Sequence, residues 1–287
     1  MDGNNNQIQE EEDDEGEEFP EEELKDMVKV QIGKHLLTID GYLKASFDHV
    51  KHDVKRRRFD CFTLVAGREG YGKTTLALQL ALYCDPTFTV DRVVFNAEQF
   101  IEAVQKATKY QSIVFDETVG SLSSRGSMSK VNMALIKVFS EMRSKHLFVF
   151  LCIPNFFIMD WYAANHRSTG LLYVYKRGRF GSYDYPTKHR LWMSGKKTQD
   201  YNVSPNFIGQ YTKYFPIDEV VYEAKKQQAI NDFAIERVDL LRYKRIVDKL
   251  VKHIIDHNLI GLPELSDITG IEPVHLAKRI KGKEEEL

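Results

Sequence analysis

The chain has 287 residues, 43% of them hydrophobic, with 40 Lys+Arg against 42 Asp+Glu and a formal charge of −2. That length holds one large domain, or a medium domain plus a small one, and its core needs no disulfide or metal staple. The near-zero charge argues against a uniformly basic polyanion binder, but it is an average over two unlike parts.

The first part is an acidic arm. Residues 1 to 24 carry 12 acidic side chains and no Lys or Arg, which leaves 30 acidic against 40 basic residues from Lys25 onward, a body charge of +10. A block of like charge with few aromatic or β-branched residues predicts disorder over residues 1–27. Such an arm either keeps the chain in solution or mimics an acidic ligand and shields the basic body. An acidic, polar start is the reverse of a secretory signal. The longest apolar run, Leu147 to Ile153, is far too short to span a bilayer. Cys61, Cys84 and Cys152 sit singly in apolar runs, without metal-ligand spacing, and read as buried free thiols. These features predict a cytoplasmic protein with no membrane partner.

A short β-like run (Val28, Val30, Ile32) opens the next segment, which ends in the basic cluster Lys51, Lys55, Arg56, Arg57, Arg58. From Asp60 to about residue 225, apolar strands alternate with helices. Strands are predicted over Cys61–Ala66, Arg92–Phe95, Ser112–Phe115, His146–Ile153 and Leu171–Tyr175. Helices are predicted over Lys73–Tyr83, Glu98–Ala107 and Val131–Met142. Strands that are apolar throughout imply a mainly parallel sheet covered on both faces, an α/β fold. Strand signals then vanish. Glu236–His257 reads as a long amphipathic helix, and Pro263–Ile268 and Pro273–Ile280 as two short ones, so residues 226–287 form a second, all-α domain.

Chemistry enters at Gly67-Arg68-Glu69-Gly70-Tyr71-Gly72-Lys73-Thr74, which matches G-x-x-x-x-G-K-[ST] between an apolar strand and a helix. Gly67, Gly70 and Gly72 let the backbone curl, with Tyr71 between them, so that successive N–H groups face a β-phosphate at the helix N-terminus. In this pattern Lys73 bridges the β- and γ-phosphates, the Thr74 hydroxyl ligates Mg²⁺, and Thr75 lies near the α-phosphate. Ile113-Val114-Phe115-Asp116-Glu117 brings carboxylates to the end of another strand. Asp116 is suited to hold Mg²⁺ through water, and Glu117 to polarise an attacking water. No Asn-Lys-x-Asp guanine reader occurs, which favours ATP over GTP.

A Glu beside the Mg²⁺ carboxylate resembles the additional-strand, catalytic-glutamate ATPases, whose core is RecA-like. That resemblance implies an extra strand between the phosphate-loop and Asp-Glu strands, ending in a residue that senses the γ-phosphate. Asn155, after the strand His146–Ile153, is the candidate; a cap on the following helix, Phe156 to Ala163, is its ordinary alternative use. The resemblance also implies rings in which a neighbour's arginine completes the site: Arg167 first, then Arg143, with Arg125 a third candidate. Phe95-Asn96-Ala97-Glu98-Gln99-Phe100, the loop Ser121–Arg125, Glu141–Leu147 and Ala164-Asn165-His166-Arg167 carry the likeness further. They resemble phage and archaeal-element ATPases of the zonular-occludens-toxin-like and FtsK/HerA-like groups. What this implies is Mg²⁺-dependent ATP hydrolysis coupled to DNA handling by an oligomer in a viral or mobile-element setting.

The C-terminal stretch Leu262–Ile280 resembles a helix-turn-helix, with Gly270 in the turn. Its second helix would present His275, Lys278 and Arg279, followed by Lys281, to DNA; a protein-contact bundle is the alternative. Tyr173–Tyr183 interleaves basic and aromatic residues, a composition that suits nucleic-acid stacking and a surface hairpin equally. Two other functions fit the same phosphate loop: a small-molecule or nucleotide kinase, and a non-catalytic ATP-dependent DNA-binding regulator.

Overall fold

The computed structural model describes residues 26–116, 125–256, 261–269 and 272. The acidic arm, Glu117, the Ser-rich loop to Ser124, and the segment with His275, Lys278, Arg279 and Lys281 lie outside them. The chain falls into two compact units, divided after Glu219, against the expected boundary at 225/226.

The first unit opens with β1 (Met27–Ile32) and β2 (His35–Asp40), an antiparallel hairpin closed at Gly33 in the left-handed region. Only the first of these strands was legible in the sequence. Asp40 then starts α1 (Gly41–Arg56): its carboxylate accepts from the Leu43 N–H, satisfying an otherwise orphaned donor. A seven-stranded sheet follows, built from β3 (Cys61–Gly67), β4 (Val93–Val94), β5 (Ser112–Asp116), β6 (Phe148–Ile153), β7 (Gly170–Lys176), β8 (Arg179–Tyr183) and β9 (Phe207–Gln210). Its order is β4-β5-β6-β3-β7-β8-β9. The first five strands are parallel, and β8 and β9 are added antiparallel. The fold is therefore α/β with a mostly parallel sheet, compatible with a Rossmann- or phosphate-loop-type core.

Four helices complete this unit: α2 (Lys73–Cys84), α3 (Ala97–Lys106), α4 (Arg125–Lys145) and α5 (Tyr185–Gly195). Every residue of β3, β5 and β6 is buried, because both sheet faces are covered. On one face Phe62 and Leu64 of β3, Phe115 of β5 and Leu151 of β6 share a core with Phe100 of α3, Leu135 and Met142 of α4 and Leu191 of α5. On the other face α1 reaches β6 through the Phe47–Phe150 ring contact, and the Ser112 hydroxyl donates to the Ala81 carbonyl of α2. The expected helix Phe156–Ala163 is instead a 3₁₀ turn, Phe156–Ile158, then a wide turn, Tyr162–Arg167, closed by a five-residue hydrogen bond from the Ser168 N–H to the Ala163 carbonyl. The three cysteines are free and buried, and burial pushes the Cys61 thiol up to about 12.

Lys188 of α5 is wholly buried and donates to the Ser168 carbonyl at 2.7 Å and to the Ser168 hydroxyl. Desolvation pushes its ammonium down to about 7 from an ordinary 10.5, while Asp184 opposes that shift. The unfolded chain thus binds the extra proton between pH 7 and 10.5, so stability contributed through Lys188 rises across that window and is lowest below pH 7. Urea unfolding at pH 6.5 and 9.5 checks this: Lys188→Met is expected to flatten the rise, and an unchanged pH slope would count against it.

In the second unit, α6 (Glu219–Asp256) and α7 (Leu262–Thr269) bury Val251 and Leu265 respectively. No described helix is long and apolar enough to cross a membrane.

Candidate functional site

Where β3 ends, the backbone turns through three glycines before α2 begins. Gly67, Gly70 and Gly72 have φ of +152°, +78° and +87°. Gly72 sits in the left-handed region that disfavours side chains. A methyl on Gly67 would lie 2.3 Å from the Val174 carbonyl oxygen, and one on Gly72 would lie 2.6 Å from the Tyr211 hydroxyl. Both glycines are thus fixed by close approach as well as by conformation.

The helix that follows starts without a side-chain cap. The contrast with α1, α3 and α5 is informative, because Asp40, Asn96 and Asp184 cap those helices. An uncapped N-terminus keeps backbone donors and a partial positive charge available to an anion. Lys73, its first residue, is buried and its ammonium donates to the Arg68 carbonyl at 2.8 Å, folding over the loop. Thr75, half-buried, is one turn-position further on.

The Thr74 hydroxyl donates to the Asp116 carboxylate at 3.0 Å, joining residues 42 positions apart. Topology accounts for the meeting. Asp116 is level with Cys152 of β6, and Cys152 with Val65 of β3, so β5 and β3 release their next residues at one sheet edge. Between them lies β6. A threonine hydroxyl and a buried carboxylate are hard oxygen donors suited to Mg²⁺. Among the described residues no group of three or more His, Cys, Asp or Glu is disposed to hold a metal. The donors that are present fit an ion completed by phosphate oxygens and water, the usual state of Mg²⁺.

Asn155 leaves β6 at this same edge. Its Oδ1 accepts from the Phe157 N–H at 2.9 Å and its Nδ2 donates to Gln199 Oε1 at 3.0 Å. The hydrogen bonds describe the capping use, with one of the two Nδ2 N–H donors spent on Gln199. Glu117 is the residue after β5 and lies outside the described residues.

The two leading arginines are carried away from the loop. Arg167 lies just before β7, at the opposite edge of the sheet, and its guanidinium pairs with Asp60 at 2.6 Å and covers the Phe139 ring. Arg143 ends α4, which feeds the start of β6, again the opposite edge. Of Arg125, only the backbone at the start of α4 is described.

Two residues without an assigned role touch the loop from outside. The Tyr211 hydroxyl donates to the Tyr71 carbonyl, and burial pushes that phenol up to about 12. Arg177, in the β7–β8 turn, donates to the Gly70 carbonyl from Nε at 3.3 Å and Nη2 at 3.1 Å. Its basic-aromatic composition marked the hairpin in the sequence; Tyr211 carried no sequence signal, being 140 residues from its partner. No protein-family model matches the chain, and a search of curated proteins finds no match.

Proposed function

We propose that the chain is a Mg²⁺-dependent ATPase with a RecA-like core that couples hydrolysis to DNA handling as a homo-oligomer. The observation that carries this reading is the Thr74–Asp116 hydrogen bond across an intervening parallel strand, beside an uncapped helix and three tightly turned glycines. In it, Lys73 and the loop N–H groups bind the β- and γ-phosphates, and Thr74 and Asp116 hold Mg²⁺, which supplies charge neutralisation at the transferring phosphoryl group. Glu117 orients and polarises the attacking water. The DNA part is supported by the basic body beyond the arm and by a sequence pattern that resembles a helix-turn-helix, in which His275, Lys278, Arg279 and Lys281 would serve phosphate and base contacts.

Phosphate release measured with and without DNA, at 50 and 200 mM salt, tests both parts. Mg²⁺-dependent release that DNA accelerates more at the lower salt is expected, because the contacts to DNA are ionic. Release that never responds to DNA sinks the DNA role alone, whereas a phosphorylated acceptor in place of free phosphate sinks the hydrolase reading.

A further inference from the structure

The Thr74–Asp116 pair fixes which way a nucleotide lies. Thr74 and Asp116 would hold a Mg²⁺ that neutralises the terminal phosphates of a bound nucleotide, so its terminal phosphate would belong on the β6–β5 side of β3. The ester end of the phosphate chain, with ribose and base, then leaves on the other side, where β7 and β8 lie.

That side carries one exposed cation against the loop. Arg177 spends two donors on the Gly70 carbonyl and, among the described residues, has no ion-pair partner. The turn that carries it is braced on two sides. The β7–β8 register holds Lys176 opposite Arg179, and the Tyr211 N–H donates to the Gly178 carbonyl at 3.0 Å, bracing the turn from β9's end. A guanidinium anchored by one edge keeps a flat, weakly hydrated face that stacks well on an aromatic ring.

We infer that Arg177 is the nucleoside-binding residue of this site, its guanidinium face stacking on the purine while its edge stays on the Gly70 carbonyl. The inference rests on the Mg²⁺-ATP reading above. Stacking reads the face of a ring and not its hydrogen-bonding edge, so Arg177 adds affinity for the base without itself distinguishing adenine from guanine.

Calorimetric titration of the full chain with a non-hydrolysable Mg²⁺-ATP analogue, and separately with inorganic triphosphate, distinguishes this role from a prop for the loop. Arg177→Ala is expected to weaken the ATP analogue about tenfold while changing triphosphate affinity less than about twofold. Arg177→Lys, which keeps the charge and a donor for Gly70 but has no flat face, is expected to follow the Ala variant. Equal losses for both ligands would make Arg177 a support for the phosphate loop and overturn the inference, as would an unchanged ATP-analogue affinity. Triphosphate binding by the wild type shows that the phosphate site itself stands; a wild type that binds neither ligand overturns the ATPase reading and this inference with it.

Discussion

Replacing Asp116 with Asn is expected to lower Mg²⁺-dependent ATP turnover roughly a hundred- to a thousandfold, ~2.7–4 kcal/mol of transition-state stabilisation. The substitution keeps the shape and leaves an oxygen for the Thr74 hydroxyl, so the fold is expected to survive. What it removes is the buried carboxylate charge that joins the end of β5 to the start of α2 through the Thr74 hydroxyl. Thr74→Ala should lose a comparable amount, because Mg²⁺ loses a ligand, whereas Thr74→Ser keeps the hydroxyl and should retain most activity. Steady-state phosphate release over a Mg²⁺ titration checks the series. Asp116→Asn turning over at the wild-type rate, at unchanged Mg²⁺ concentration, would remove the carboxylate from the site.

The second large effect is on stability and leaves chemistry alone. Arg167 and Asp60 keep only 16% and 7% of their side-chain surface exposed, and the guanidinium sits 4.6 Å from the Phe139 ring centroid. Arg167→Ala strands the Asp60 carboxylate in a largely dry place and is expected to cost about 3 kcal/mol, near the lower end for breaking a buried pair. Arg167→Met combined with Asp60→Asn should recover much of that loss, because no unpaired charge remains. Chemical denaturation measures both variants. Turnover per folded molecule is expected to stay at the wild-type value; a collapse restored by mixing in wild-type protein would return Arg167 to a neighbour's site.

These two expectations show where the sequence was informative. The glycine-rich loop's place was legible because G-x-x-x-x-G-K-[ST] lies between an apolar run and a helical one, and the apolar runs marked five parallel strands. Asp116 could be picked out because a carboxylate ends an otherwise apolar run. Arg167 could not be judged that way: its partner Asp60 is 107 residues distant, and only the common edge of β3 and β7 unites them. The same holds for β9, which interrupts the strand-helix alternation, whereas a surface hairpin at Tyr173–Tyr183 was one of two readings of its composition. For α5 a local signal existed, since Asp184 caps the helix at Thr187 and Pro186 occupies its first turn.

The Tyr211 strap has a consequence for the order in which the protein comes into being. Tyr71 and Tyr211 are separated by 140 residues, and Tyr211 also pairs with Ile39 of the opening hairpin. At about 5–20 residues per second of synthesis, the glycine loop is made roughly 7–28 s before the hydroxyl that braces it. A nascent chain therefore holds an unbraced glycine loop until β9 and Tyr211 have emerged, and a chain cut short before residue 211 never acquires the brace. The loop's braced form arrives late in translation, as a mark that the first unit is complete.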